Sequence, residues 1–389
     1  MFKVKTYNAI SDKGLSRFSN DKYQVGSDLD NADAYIIRSH KLHGEQVPKS
    51  VVAVARAGAG TNNVPVEEYG KQGVVVFNTP GANANAVKEL VITGMLMSCR
   101  DISGGIDFVR GLEIDDNGEM AKLLEKEKKR FSGSEIEGKT LGVIGLGAIG
   151  AMVANVALDL GMNVVGYDPA ISIEAAWSLS RNVEKMPSLE ALLKASDFVS
   201  LHVPAIEATH HLINAERLAL FKEGAVLLNF AREQIVDSTA ALEALSNGNL
   251  RKYVTDFPSP EMISRADVVP MPHIGASTAE AEENCAVMAA NQLMDYLENG
   301  NIKNSVNFPA TSMPRMSATR ITFSNQNVPK VLGNVLSLLA DSNINVVDMI
   351  NRSRDDLAYN IIDVESDLTE ALVSQISEVE GVIGVRVLR

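Results

Sequence analysis

A glycine-rich turn after an apolar segment constrains the fold of this chain more than any other feature. Residues 141–150 read Leu-Gly-Val-Ile-Gly-Leu-Gly-Ala-Ile-Gly, and a helix-compatible stretch follows directly. In this pattern Gly145 permits a tight turn, Gly147 lets the backbone approach a pyrophosphate, and Gly150 lets the helix pack on the strand. The segment therefore predicts a strand–turn–helix unit that binds a dinucleotide at the N-terminus of its helix.

An acidic residue ends the next predicted strand. Asp168 lies 23 residues after Gly145, where a carboxylate would accept hydrogen bonds from a ribose diol. Its charge repels a 2′-phosphate, and Pro169 rather than arginine follows, so NAD is favoured over NADP. An ordinary glycine-rich turn is the alternative. The cofactor contacts predicted from this unit are Gly145, Gly147, Ala148, Ile149, Gly150 and Asp168.

The composition excludes several classes of partner. The chain has 389 residues and a net charge of −13, which argues against a nucleic-acid surface. No apolar run approaches the ~20 residues needed to cross a bilayer, and the first residues lack the apolar core of a signal peptide. Cys99 and Cys285 are the two cysteines, and we expect both to be buried thiols of a cytoplasmic protein. We expect neither a metal site nor a membrane partner.

The order of apolar and polar segments predicts an α/β protein with three parts. Short strands alternate with polar segments over residues 1–80, and about six strands alternate with helices from 140 to about 274. These two parts are expected to be Rossmann-like, doubly wound domains. After a proline-containing linker at 304–316, a βαββαβ order within about 70 residues predicts a ferredoxin-like unit.

Three long helices are predicted, over residues 83–100, 106–131 and 278–299. The first and third carry much apolar surface, which leads us to expect a homo-oligomer, either a homodimer or a homotetramer.

Three polar segments end predicted strands downstream of the glycine motif. They are Asn229-Phe-Ala-Arg232, Asp256-Phe-Pro-Ser-Pro-Glu261 and Pro272-His273-Ile-Gly-Ala-Ser-Thr278. Carboxyl ends of parallel strands meet at one edge of a sheet, so we expect these side chains to line one cleft. Oxidation of an alcohol by hydride transfer needs such a set. A histidine can take the hydroxyl proton, a carboxylate can fix its tautomer, and an arginine can grip a substrate carboxylate. Each residue alone is as readily an ordinary surface group.

These segments resemble the D-2-hydroxyacid dehydrogenase family, whose marks are G-x-G-x-x-G, N-x-A-R-G, D-x-F-x-x-E and P-H-x-G-A-S-T. The interval of 29 positions between Arg232 and Glu261 agrees with the family, as do segments 56–64, 78–90 and 201–212. The resemblance covers essentially the whole chain. It implies that Arg232, Glu261 and His273 form a catalytic triad.

The same resemblance implies a division of the chain. Residues 1–98 and 278–310 would form a discontinuous substrate-binding domain, residues 99–277 an NAD-binding domain, and residues 317–389 a regulatory ACT domain. The further cofactor contacts implied by the family segments are His202, Val203, Pro204, Thr209, Ala231, Asp256 and Gly275.

Two arginines at predicted strand ends indicate the most similar branch of the family. Arg38 and Arg56 lie where a phosphate would bind, and the loop with Ala57, Gly58 and Ala59 offers backbone amides to a carboxylate. This resembles the branch that oxidises D-3-phosphoglycerate to 3-phosphohydroxypyruvate with NAD, at the start of L-serine synthesis. A small-molecule substrate, 3-phosphoglycerate, is therefore expected.

The C-terminal unit resembles an ACT domain, which binds amino acids between paired copies. The implied effector is L-serine, and the implied effector contacts are Asn325, Asn327 and Asn345. Lys330 replaces a family glycine and would be strained at positive φ. An ACT unit that serves assembly alone is therefore the alternative.

Glu233 departs from the family, which has glycine after the catalytic arginine. Its carboxylate would weaken the neighbouring arginine or reshape the cofactor contact. Two other functions stay open, and Glu233 bears on the second of them. One is another D-2-hydroxyacid dehydrogenase, such as a hydroxypyruvate/glyoxylate reductase or a D-lactate dehydrogenase. The other is a non-catalytic NAD(H)-sensing binding protein.

Overall fold

The computed structural model describes residues 1–389, and the chain forms two compact units. The first unit contains Met1–Asn83 and Ala279–Arg389, and the second contains Ala84–Thr278. None of the helices is both long enough and apolar enough to span a membrane.

The N-terminal part of the first unit is a parallel sheet of five strands in the order β2-β1-β3-β4-β5. Its central strands read Ala-Tyr-Ile-Ile and Ala-Val-Ala-Arg and are almost wholly buried, because a parallel sheet is covered on both faces. The elements are β1 (Phe2–Thr6), α1 (Asp12–Leu15), β2 (Tyr23–Gly26), β3 (Ala34–Ile37), β4 (Ala53–Arg56), α2 (Val66–Lys71) and β5 (Val75–Phe77).

The second unit contains a parallel sheet of seven strands in the order β12-β11-β10-β9-β6-β7-β8. The elements are α3 (Ala84–Cys99), α4 (Ile102–Arg110), α5 (Asn117–Glu127), β6 (Thr140–Ile144), α6 (Ala148–Asp159), β7 (Asn163–Tyr167), α7 (Ile173–Ser178), β8 (Glu184–Lys185), α8 (Leu189–Ala195), β9 (Phe198–Leu201), α9 (Ala215–Leu218), β10 (Ala225–Asn229), α10 (Ser238–Ser246), β11 (Leu250–Thr255) and β12 (Val268–Pro270). The strand order reverses between β6 and β9, which opens a crevice at the carboxyl ends of these two strands. The doubly wound α/β fold predicted for both parallel sheets is confirmed.

Three local features of the second unit differ from the predictions. The sheet has a seventh strand, β8, whose two exposed residues, Glu184 and Lys185, give no apolar signal. The helix expected over 106–131 is broken between Arg110 and Asn117, because the Asp116 side chain caps a new helix by accepting from Glu119 N. Helix α3 belongs to this unit rather than to the first one, since its apolar side chains pack into the core beneath the seven-stranded sheet.

The C-terminal residues form an antiparallel sheet of four strands in the order β14-β15-β13-β16. The elements from the return of the chain onward are α11 (Ala279–Asn299), β13 (Thr319–Gln326), α12 (Val331–Asp341), β14 (Val346–Arg354), β15 (Leu357–Val364), α13 (Glu370–Ser377) and β16 (Val382–Leu388). This is the predicted βαββαβ order. Lys330 adopts φ of 76° directly before α12, so the strain inferred from the sequence at this position is present.

One face of the C-terminal sheet packs on the N-terminal part of the first unit. Tyr359 and Ile361 lie in a core that also contains Phe308 and, from α11, Tyr296. Arg386 lies over the Tyr296 ring, with its guanidinium carbon 4.6 Å from the ring centroid. The C-terminal sheet is thereby fixed to the carboxyl end of α11.

A buried ion pair strengthens this attachment. The Arg320 guanidinium donates to Asp363 Oδ1 at 2.6 Å and to Oδ2 at 2.9 Å, and neither side chain is exposed. Arg320 also donates to the carbonyl oxygens of Asn299, Met313 and Pro314. The charge is therefore fully compensated and links β13 to the end of α11.

Candidate active site

The glycine motif lies in the crevice between β6 and β9. Gly145 has φ of 87°, and a Cβ atom there would lie 2.5 Å from the His202 carbonyl oxygen, so only glycine fits. A Cβ on Gly150 would lie 1.9 Å from the Gly145 oxygen, which keeps α6 close to the strand. Space is open around Gly147, which has no capping side chain, and the first N–H groups of α6 have no helical acceptor. This cradle fits the pyrophosphate of a dinucleotide.

Asp168 lies at the rim of the same crevice, after β7. Its Oδ2 accepts from Leu146 N at 2.8 Å, and its Oδ1 accepts from Ala170 N at 2.9 Å. The half-buried carboxylate is thus oriented by two backbone amides and keeps free lone pairs for a ribose diol. The residues present therefore fit an adenine dinucleotide without a 2′-phosphate.

The predicted cofactor residues after β9 are organised by internal hydrogen bonds. His202 Nε2 and Ser200 Oγ are 2.8 Å apart, and burial lowers the pKa of His202 to about 4. The imidazole is therefore neutral at physiological pH. Thr209 Oγ1 donates to the Pro204 carbonyl at 2.5 Å and accepts from Ile206 N at 3.0 Å, which closes the loop.

Asn229 fixes the backbone that carries Arg232. Its side-chain oxygen accepts from Ala231 N at 3.2 Å, and its amide nitrogen donates to the Arg232 carbonyl at 3.0 Å. The Arg232 side chain is exposed, and its only hydrogen bond within the protein is from Nη1 to the Ala231 carbonyl at 2.7 Å. Most of its donors are therefore available to a ligand.

Asp256 fixes the loop that follows His273. The carboxylate is buried, and its two oxygens accept from Ile274 N and Gly275 N, both at 2.8 Å. Asp256 and Gly275, predicted as cofactor contacts, therefore bond to each other. The His273 ring is exposed and lies against Phe257, with ring centroids 4.7 Å apart. The backbone of His273 has φ of 56°, an uncommon value for a residue other than glycine.

The expected contact between Glu261 and His273 is not formed. No hydrogen bond or ion pair joins the two side chains, although both follow strands at the same sheet edge. Glu261 lies on a short 3-10 turn, Pro260–Met262, where the adjacent Ser259 hydroxyl lowers the pKa of its carboxyl group. Glu261 follows β11 and His273 follows β12, twelve positions further along the chain, and the two side chains are unpaired in this conformation.

Glu233 faces a groove beside the predicted triad. The groove has a volume of about 740 Å³, and Glu233 and Glu261 line it together with residues of α10. Glu233 makes no ion pair with Arg232. No direct contact therefore supports the expectation that Glu233 weakens Arg232.

In the first unit, the structure brings together the residues predicted to bind substrate. Arg56 pairs with Ile37 across β4 and β3, and its Nε donates to the Arg38 carbonyl at 3.1 Å. The Arg56 guanidinium lies over Gly58, whose missing Cβ would be 2.1 Å from Nη1. The loop at Ala59 is held by Asn78, which donates to its carbonyl at 2.7 Å. Two cationic side chains and the glycine loop thus share one sheet edge. The backbone amides of Ala57 and Gly58, expected to bind a carboxylate, instead donate to the carbonyl oxygens of Ile37 at 2.7 Å and Arg56 at 2.9 Å.

Sequence reasoning missed a carboxylate at this edge. Glu282, in the first turn of α11, accepts from Arg38 Nη2 at 2.5 Å. A glutamate in the first turn of a helix is explained by its favourable interaction with the helix dipole. The sequence therefore does not indicate a long-range partner for it.

The predicted effector residues do not form one cluster of free groups. Asn325 is buried, and its side-chain oxygen accepts from Asn360 Nδ2 at 2.7 Å. Asn360 in turn accepts from Asn351 Nδ2 at 2.7 Å, which makes a row of three amides across the sheet. Asn327 donates to the Asp355 carbonyl at 3.0 Å, and Asn345 is exposed.

The crevice, the glycine cradle and Asp168 are typical of an α/β domain that binds a dinucleotide. Residues 92–277 match the family model described as D-isomer specific 2-hydroxyacid dehydrogenase, NAD binding domain. This match confirms NAD as the cofactor, and the C-terminal sheet lies beyond its last residue.

The names of similar proteins indicate to which branch of the family the chain belongs. The D-3-phosphoglycerate dehydrogenase of Haemophilus influenzae is 34% identical over 88% of this chain and 82% of the relative. The D-3-phosphoglycerate dehydrogenase of Escherichia coli K12 is 32% identical over 98% of this chain and 90% of the relative. The NAD-bound 3-phosphoglycerate dehydrogenase of Entamoeba histolytica is 25% identical and superimposes with a TM-score of 0.59 over 79% of this chain and 98% of that structure. The chain belongs to the D-3-phosphoglycerate dehydrogenase family and is an NAD-dependent oxidoreductase.

Proposed function

We propose that this chain oxidises D-3-phosphoglycerate to 3-phosphohydroxypyruvate with NAD, the reaction that opens L-serine synthesis. The observation that carries the proposal is the pair Arg38 and Arg56 at neighbouring strand ends, beside the glycine loop. Two guanidinium groups match a dianionic phosphate, whereas an unphosphorylated hydroxy acid would need only one. The names of the relatives support the same substrate.

The binding roles follow from the geometry of each loop. The amides at the start of α6 would hold the pyrophosphate, and Asp168 would accept from the ribose hydroxyls. Arg232 would bind the substrate carboxylate, because its free donors can form two parallel bonds to carboxylate oxygens. Arg38 and Arg56 would bind the phosphate, and the loop of Ala57, Gly58 and Ala59 would support the carbon chain.

The chemical step needs a base for the hydroxyl proton. Bound NAD supplies the hydride acceptor. His273 takes the proton from the C2 hydroxyl on a ring nitrogen as the C–H bond breaks, so one hydride and one proton leave the alcohol. Arg232 stabilises the charge that builds on the oxygen.

Glu261 would act through His273. An exposed glutamate is ionised near neutral pH, and an ionised carboxylate on the second ring nitrogen would stabilise the imidazolium that forms. This role needs a rearrangement of the Pro260–Met262 turn that brings the two groups within hydrogen-bonding distance.

The test of the proposed function is formation of NADH from NAD and D-3-phosphoglycerate, followed by near-ultraviolet absorbance. We expect turnover with this substrate and much less with D-lactate or D-glycerate. Equal turnover with an unphosphorylated hydroxy acid would assign the chain to another D-2-hydroxyacid dehydrogenase. No turnover with any of them, despite NADH binding, would favour an NAD(H)-sensing protein.

Arg56→Ala is expected to raise the KM for D-3-phosphoglycerate about tenfold or more, because a hydrogen bond to a charged group contributes about 1.5–3 kcal/mol. The KM for D-glycerate should stay nearly constant, since that substrate has no phosphate. Steady-state kinetics with both substrates measure the difference. Arg17→Ala, at an exposed arginine bonded to Asn291, is the matched control. Equal loss with both substrates would remove Arg56 from phosphate binding.

The C-terminal unit is proposed to be an ACT domain that binds L-serine. The βαββαβ order and the exposed Asn327 and Asn345 support this assignment. Asn325 would contribute only after giving up its bond to Asn360, so its role is the least supported of the three. Suppression of the turnover described above by L-serine is the expected result, and indifference to serine would leave the unit with a role in assembly.

A homodimer or homotetramer is proposed on the apolar face of α4. Ile102, Ile106 and Val109 lie at helical spacing, and each is 42–45% exposed. An apolar helix face of this kind is covered in most stable proteins. Analytical ultracentrifugation should show at least a dimer.

A further inference from the structure

Arg38 is not free at the proposed phosphate site, because Glu282 already holds it. The Nη2 atom of Arg38 lies 2.5 Å from Glu282 Oε1, and the two side chains are 39% and 42% exposed. Nη1 and Nε of Arg38 donate to no acceptor of the protein. One end of the guanidinium fork is therefore bound to a carboxylate, and the rest remains available.

Glu282 places a negative charge at the site where the proposed function requires the negatively charged phosphate to bind. The Arg56 guanidinium lies against the Arg38 backbone, since Arg56 Nε donates to the Arg38 carbonyl, and the two arginines follow one another at the ends of the paired strands β4 and β3. A phosphate that binds both arginines must either displace the Glu282 carboxylate or share Arg38 with it. In both cases the charge of Glu282 opposes binding of the anion.

We propose that Glu282 is a resident competitor for Arg38 and acts as a specificity-determining residue, so that a dianionic phosphate displaces it and a monoanion does not. This inference rests on the proposed function. A phosphate dianion interacts about twice as strongly with a guanidinium as a carboxylate of single charge at the same distance. Substrates without the second charge leave the Arg38–Glu282 pair intact and bind without help from Arg38.

The cost of displacement is small enough for this role. Exposed ion pairs contribute roughly 0.2–1 kcal/mol, so a dianion breaks this one at little cost, whereas a monoanion gains no more from Arg38 than Glu282 already provides. The pair also keeps Arg38 ordered when no substrate is bound, which limits the entropy lost on binding.

Glu282→Gln tests the competition, because glutamine keeps the shape and an oxygen acceptor but removes the charge. Glu283→Gln is the matched control, since Glu283 lies at the next position of α11 and forms an ion pair with Lys13 at 2.5 Å. For each variant, KM and kcat are measured with D-3-phosphoglycerate and D-glycerate, and the Kd of inorganic phosphate is measured by calorimetry.

We expect Glu282→Gln to lower the KM for D-3-phosphoglycerate and the Kd of phosphate by about two- to fivefold. Its kcat and its KM for D-glycerate should stay constant, and Glu283→Gln should change none of these values. In an Arg38→Ala background the Glu282→Gln effect should disappear. An unchanged or raised Kd of phosphate in Glu282→Gln would overturn the inference.

The proposed enzymatic function and the inference about Glu282 can fail separately, and the experiments distinguish the two failures. If wild-type protein does not turn over D-3-phosphoglycerate, the phosphate Kd still reports whether Glu282 competes for Arg38. If turnover occurs and Arg38→Ala leaves the KM for D-3-phosphoglycerate unchanged, Arg38 does not bind phosphate, and the inference fails while the enzymatic function stands.

Discussion

Replacing His273 with asparagine is expected to lower kcat for D-3-phosphoglycerate at least ~100-fold, because general base catalysis contributes about 10²–10⁴-fold. Asparagine keeps the capacity to form hydrogen bonds but cannot accept the hydroxyl proton. The Kd of NADH, measured by fluorescence titration, should change little. The loss should therefore be in kcat and not in cofactor binding.

His210→Asn is the control for this result. His210 is an exposed histidine of the same unit, stacked on His211 with ring centroids 4.1 Å apart. Its replacement should leave kcat unchanged. A His273→Asn variant that kept more than about a tenth of the wild-type kcat would exclude His273 as the base.

Asp363→Ala is expected to lower the free energy of unfolding by about 3–5 kcal/mol, because it leaves the buried Arg320 charge without its partner. Burial alone would raise the pKa of Asp363, but the hydrogen bonds from Arg320 and Met316 N hold it below the ordinary value. The stability from this pair is therefore present at neutral pH and is lost as the pH falls through the lowered pKa. Urea unfolding at neutral and acidic pH measures both effects.

The matched control lies in the turn between β14 and β15. Asp355 is paired with Arg354 at 3.9 Å, and its side chain is 91% exposed. Asp355→Asn should change the free energy of unfolding by no more than about 0.5 kcal/mol, because asparagine tolerates the φ of 51° at this position. Equal losses for Asp355→Asn and Asp363→Ala would show that burial of the pair does not matter.

The predictions of secondary structure that were confirmed came from short sequence patterns. The strand ending at Ile144 and the helix starting at Ala148 follow from an apolar run and a glycine turn, each visible within a few residues. Strand β8 was not predicted, because Glu184 and Lys185 pair with β7 by backbone bonds that no side-chain pattern reveals.

The contacts that could not be predicted join residues far apart in the chain. The Arg38–Glu282 pair and the row Asn351–Asn360–Asn325 depend on strand register and helix docking, which the sequence does not state. The separation of Glu261 from His273 depends on the conformation of the short segment between them. Motif spacing identified these two residues, but their mutual orientation required three-dimensional geometry.

The discontinuous first unit also determines the order in which the chain can fold during synthesis. Its main core combines Val4 and Ile36 with Tyr296, Tyr359 and Ile361, so one face of the first strands is not fully covered until residue 361 has left the ribosome. The second unit, Ala84–Thr278, is continuous and can fold as soon as it emerges. The core on the other face of the N-terminal sheet comes almost entirely from residues 32–76 and can form early. Synthesis therefore leaves one apolar face of these strands exposed while the second unit folds.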